Sequence, residues 1–189
     1  MKHTVYLFAA CLMLLASLPA AADTLKICFH YGCKAETAVN VSAVVKQQLA
    51  ARFAGVADAA AEREAVRDAV QQLYLNAGRQ SPIYQDKGGN FSDGTAEGRM
   101  DCVDHSSNST TFLNYLAAQG WLKFHSVGKP VYRLPRIIDL HYAAQLIENE
   151  NGGKWVVDSW FEDFGAAPAI VDWPAWKKGW RPSDAHAQK

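Results

Sequence analysis

The chain has 189 residues, with 19 basic and 19 acidic side chains and no net charge. One domain fits that length, and balanced charge without a basic run excludes electrostatic capture of nucleic acid.

Residues 1–22 predict a secretory signal. Lys2 supplies the positive start, Thr4 to Leu18 form an uncharged apolar run, and Ala20-Ala21-Ala22 gives the small-residue cleavage pattern before Asp23. About 15 apolar residues is short against the roughly 20 needed to span a bilayer, so the reading is a signal and not an anchor. Cys11 lies inside the run and leaves with it. Export implies a periplasmic or secreted protein in an oxidising compartment, with no stable membrane insertion after cleavage. Residues 23–182 then form the single expected domain, and 183–189 a flexible tail.

Leu25, Ile27, Phe29 and Tyr31 alternate with Thr24, Lys26, Cys28 and His30, the period of a half-buried strand. Tyr31-Gly32 is a turn signal that carries Cys33 back towards Cys28, and a structural disulfide is expected. The rival reading, a redox pair, lacks the C-x-x-C spacing. A first helix is capped by Ser42, puts Val45, Leu49 and Phe53 on one face, and stops at Gly55. A second follows Asp58, with Ala65, Val66, Ala69, Val70, Leu73 and Tyr74 as its apolar stripe and Gly78 at its end. Residues 79–99, with Pro82, Gly88, Gly89, Gly94 and Gly98, read as a loop. A third helix spans 102–118, with Phe112, Leu113, Leu116 and Ala117 inward and Gly120 as terminator. Strands are expected at 121–127, 140–148 and 155–161, the last two joined by a turn at Asn151-Gly152-Gly153. The fold class is α+β, with N-terminal helices packed on an antiparallel sheet. Trp155, Trp160, Trp173, Trp176 and Trp180 crowd the C-terminal end. Packing is the ordinary use of such a cluster, and a groove floor for peptide or glycan is the alternative.

With Cys28 and Cys33 joined, Cys102 is left over. A leftover thiol in an exported protein is an intermolecular crosslink or a reactive group. It opens the third helix, where unpaired N–H groups favour a thiolate. His141 begins one expected strand and Asp158 lies in the next, so adjacent antiparallel strands can set them side by side, facing the helix. That supplies a base and the carboxylate that orients it. Three alternatives stand beside this reading: Cys102 as a buried small hydrophobe, His105 as the base without an evident orienting carboxylate, and a zinc site of Cys102, His105, His125 and His141.

The order Gly98-x-x-x-Cys102, a helix closed by Gly120-Trp121, His141-Tyr142-Ala143, then Gly153-Lys154-Trp155-Val156-Val157-Asp158 resembles the core of the transglutaminase-like superfamily. The resemblance covers about residues 98–160. It implies a papain-like fold with Cys102 as nucleophile, His141 as base and Asp158 as orienter. Separately, the export signal and the lack of a cation-binding motif lead us to expect no metal or cofactor. The resemblance also implies attack on amide or peptide bonds of cell-envelope proteins or peptides through a thioester, with hydrolysis expected over crosslinking. The alternative on the same fold is a catalytically silent peptide- or glycan-binding module. Tyr142-Ala143 replaces the usual Ala-Trp, and Ser159-Trp160 follows Asp158 where Pro is common. Asp101 and Asp104 flank the thiol, where they either cap the helix or oppose thiolate formation, and Ser106, Ser107 and Asn108 offer rival helix starts.

Overall fold

The computed structural model describes residues 22–90, 97–134 and 140–183. The expected signal up to residue 21, Gly94, and the tail from residue 184 lie outside them.

The chain opens with a hairpin of β1 (Asp23–Phe29) and β2 (Ala35–Val41), a separate two-stranded antiparallel sheet. The sequence reading found the first strand and missed the second. The Cys28–Cys33 disulfide, with Cα atoms 4.7 Å apart, closes the hairpin tip. His30, Tyr31, Gly32 and Cys33 all take positive φ, and three of them are not glycine. Such backbone persists only where its surroundings over-determine it. Here the tip is bolted to the region around Cys102. His30 N donates to Arg99 O at 2.7 Å, Cys33 N to Asp104 Oδ1 at 2.6 Å, and Cys28 N to Asn108 Oδ1 at 2.7 Å.

Helices α1 (Ala43–Phe53) and α2 (Ala59–Gly78) begin at the expected caps. Ser42 Oγ accepts from Val45 N, and Asp58 Oδ1 from Ala61 N. Their apolar stripes enter the main core with the inward face of β1–β2. A single 3₁₀ turn (Pro82–Gln85) interrupts the segment read as plain loop. Helix α3 (Cys102–Ala118) follows, and Gly120, at φ +72°, ends it. Gly120 N bonds to Ala117 O and Trp121 N to Leu116 O, closing the C-terminus in a Schellman motif.

The larger sheet comprises β3 (His125–Val127), β4 (Val131–Arg133), β5 (His141–Glu148), β6 (Lys154–Asp158) and β7 (Ala169–Asp172), all antiparallel. The short helix α4 (Trp173–Lys177) follows. Its two faces have different partners. Ala144, Leu146 and Val157 join the core built by α2 and α3, while Ala143, Val156 and Val171 join Trp176 of α4. The fold is α+β, with helices against antiparallel sheet, as the composition of the elements led one to expect.

Two expected strands are shorter than read. The strand expected from 121 starts only at His125, because the Glu62 carboxylate takes the backbone N–H groups of Lys123, Phe124 and His125 at 2.6–3.1 Å. The strand expected to run to 161 ends at Asp158. There Trp160 N turns back onto Asp158 Oδ1 at 3.2 Å, an Asx-type turn.

Candidate active site

Cys102 is the first residue of α3. Asp101 is the N-cap, and its Oδ1 accepts from Val103 N at 2.9 Å and Asp104 N at 3.0 Å. Asp104 returns the bond, Oδ2 accepting from Asp101 N at 3.1 Å, which completes a capping box. The two carboxylates flanking the thiol are therefore both engaged with backbone. The later rival starts fall away, because Asn108 sits inside the helix and grips Cys28 by both its N–H and its carbonyl.

The thiol rests against the main chain on both sides of His141: Sγ lies 4.0 Å from Leu140 O, and the backbone of Tyr142 stabilises its ionised form. Cys102 is 5 % exposed. Burial pushes the thiol up to about 11, and the neighbouring charges of Asp101 and Asp158 add to the rise. The helix terminus alone does not produce a thiolate at neutral pH.

His141 is fully buried, and its Nε2 lies 2.7 Å from Asp158 Oδ2. Trp176 Nε1 donates to the same oxygen at 2.7 Å. With Trp160 N on Oδ1, the carboxylate is ringed by donors. That arrangement fixes the histidine proton on Nε2 and leaves the lone pair on Nδ1. Nδ1 is buried and has no hydrogen-bond partner among the described residues. Trp160, Phe161 and Trp176 surround the ring, with centroids 4.5, 5.5 and 5.6 Å away.

His141 and Asp158 face the α4 side of the sheet, not α3 as the strand reading supposed. Strand alternation puts His141 with Ala143 and Asp158 with Val156, and both side chains meet Trp176. The Cys102 thiol makes no hydrogen bond to either side chain: its partner is Leu140 O, and His141 Nδ1 has none among the described residues.

The zinc alternative is not assembled. His105, His125 and His141 each bond a different carboxylate, those of Asp86, Glu62 and Asp158. Among the described residues, the candidate metal-binding group is Cys28, Cys33 and Glu36, and its thiols are joined in the disulfide. His105 does have an orienting carboxylate, contrary to expectation: Asp86, one residue past the 3₁₀ turn, lies 2.9 Å from its Nε2. No periodicity marks that loop aspartate in the sequence.

Tryptophans 160 and 176 are buried around His141 and do not floor a groove. Trp155 lies under the Arg63 guanidinium, 3.7 Å from its ring centre. An open cleft of about 530 Å³ borders Asp158, Ser159 and Phe161, with Arg67, Gln71 and Pro168 among its other walls. No described helix is long and apolar enough to cross a membrane.

No family model, curated protein or solved structure matches the chain.

Proposed function

We propose that the chain is an exported, transglutaminase-like cysteine enzyme acting on amide or peptide bonds, hydrolytic in preference to crosslinking. One observation carries the reading: His141 is held by Asp158 through Nε2 while its buried Nδ1 is unpartnered, and the Cys102 thiol lies against the strand on either side of it. An unsatisfied buried acceptor is costly, and a functional proton site is one of the few reasons to keep one.

In this mechanism the Cys102 proton passes to His141 Nδ1, and the thiolate attacks the substrate carbonyl carbon. The tetrahedral intermediate collapses to a thioester as the imidazolium protonates the departing amine. Water then loses a proton to Nδ1 and attacks the thioester, releasing a carboxylic acid and returning the thiol. Asp158 stabilises the cation between these transfers, and the aromatic wall of Trp160, Phe161 and Trp176 keeps the pair from bulk water. Because Cys102 keeps slight exposure and His141 none, a substrate meets the sulfur first. Envelope proteins and peptidoglycan peptides are the candidate substrates, consistent with the export signal and the disulfide.

The test is acyl-enzyme trapping. The protein is incubated at pH 7 with envelope proteins or peptidoglycan stem peptides, quenched in acid and mapped by mass spectrometry. The expected product is an acyl group on Cys102, absent in His141→Ala. An adduct confined to another residue would remove the mechanism. The second reading, a silent binding module, draws on the raised thiol and the complete burial of His141. It predicts peptide binding with no acylation in wild type.

A further inference from the structure

A second buried aspartate–histidine pair lies beside the first. Asp86, 1 % exposed, bonds His105 Nε2 through Oδ2 at 2.9 Å and accepts Met100 N on Oδ1 at 2.7 Å. His105 Nδ1 lies 2.9 Å from Ser159 Oγ. Ser159 Oγ in turn meets Tyr74 OH at 2.9 Å and Ser109 Oγ at 3.1 Å. With the Asp86 carboxylate as acceptor, His105 carries its proton on Nε2, and its Nδ1 accepts a hydrogen bond from the Ser159 hydroxyl. Tyr74, whose burial pushes its phenol far above its ordinary range, remains a donor to the cluster.

The connectivity is specific. Met100 and His105 lie on either side of Cys102 in sequence, and Ser159 directly follows Asp158. Asp86 thus holds the chain before and after the thiol, and His105 ties that stretch to the residue beside the orienting carboxylate. The bracket is itself tightly seated. Gly98, at φ +86°, lies so close to the Pro82 carbonyl that any Cβ would collide with it. Gly89 N donates to Trp160 O at 2.7 Å, and Phe164 N to Asp86 O at 3.4 Å.

We infer that Asp86, His105 and Ser159 are positioning residues that set the start of α3 against the end of β6, and so align Cys102 with the His141–Asp158 pair. The inference rests on the proposed dyad. Sub-ångström alignment is what proton transfer between buried groups requires, and a displacement of about 1 Å costs on the order of a hundredfold in rate. A spare packing role explains the bonds less well, since an apolar core at these positions would avoid burying a carboxylate.

The experiment measures Cys102 alkylation by iodoacetamide from pH 5 to 11 in the full mature protein. The charged groups that act on the thiol are Asp101 and Asp158, and both remain in the variants, as does His141 bonded to Asp158. Ser159→Ala removes the hydroxyl that joins His105, Tyr74 and Ser109 to the end of β6. It should slow alkylation at pH 7 by roughly tenfold or more and move the profile to higher pH, with circular dichroism unchanged. Ser159→Thr, which restores the hydroxyl, should recover the wild-type profile. His105→Gln, which can keep the Asp86 bond but not the serine bond, should resemble Ser159→Ala. An activated wild type with an unshifted Ser159→Ala profile would overturn the positioning role alone. A wild-type thiol unreactive below pH 8 would overturn the dyad and this inference together.

Discussion

Asp158 is where the site is most densely determined, because its two oxygens take His141 Nε2, Trp176 Nε1 and Trp160 N. Asp158→Asn can keep one oxygen where His141 and Trp176 donate, but it turns an amide donor towards the Trp160 N–H. The mismatch should cost about 1–3 kcal/mol of stability in chemical denaturation, since a buried donor loses its acceptor. Removing the charge also removes what stabilises the His141 cation. Asp158 also raises the thiol directly by its own charge, so the loss of the His141 cation has to outweigh that relief. The alkylation profile of Cys102 should then move to higher pH in the folded variant, and turnover should fall by orders of magnitude. An unchanged profile would contradict that balance. Part of this constellation was legible in the residues. A cysteine at a helix start and a histidine and an aspartate on successive strands are local patterns. Trp176 was not legible as a partner, because a tryptophan in Trp173-Pro174-Ala175-Trp176 reads as packing whether or not its N–H is spent on a carboxylate. Asp86 and Ser159 were hidden for the same reason: their bonds cross the chain, and nothing in their neighbours marks them.

Helix α3 carries the thiol, and its N-terminus joins acid titration to the disulfide tip. Burial and the adjacent Asp101 raise the Asp104 carboxyl from 3.8 to about 6, although Cys33 N and Asp101 N both donate to it. Between those pH values the folded protein holds a proton that the unfolded chain has released, so this group makes stability fall as pH rises from about 3.8 to about 6. Asp104→Asn should flatten that limb in urea titrations at stepped pH. A limb that persists would assign it to another group. Glu62 has the opposite sign. Burial opposes its charge, but His125 and the Lys123 and Phe124 N–H groups outweigh burial and hold it below its ordinary value of 4.5. Its stabilisation is complete above that value and is lost as pH falls through its lowered folded value. Glu62→Ala leaves three backbone donors and His125 without their acceptor, and should cost about 3–5 kcal/mol in denaturant unfolding. Helices α1, α2 and α3 were readable because caps and apolar stripes are sequence-local, whereas the five-residue α4 was not read as a helix. Strands β2, β4 and β7 were not, because at three to seven residues their identity depends on the neighbour they pair with.

At the scale of the molecule, a disulfide-closed hairpin is pinned across the helix that bears the free thiol. Peptide mapping of the non-reduced protein should find Cys28 joined to Cys33 and Cys102 free. A Cys102 crosslink would contradict the arrangement. Replacing both bridged cysteines by serine should lower stability by ~2 kcal/mol, as expected for so short a loop. The account's central claim is that His141 activates a thiol that burial and the charges of Asp101 and Asp158 push up. The most direct measurement is the rate of Cys102 alkylation against pH in wild type and in His141→Ala, with circular dichroism on both. The account predicts an inflection below pH 8 in wild type and one at clearly higher pH in the variant. Superimposed profiles that both rise only towards pH 11 would contradict it, and would leave Cys102 as an inert buried thiol in a binding module.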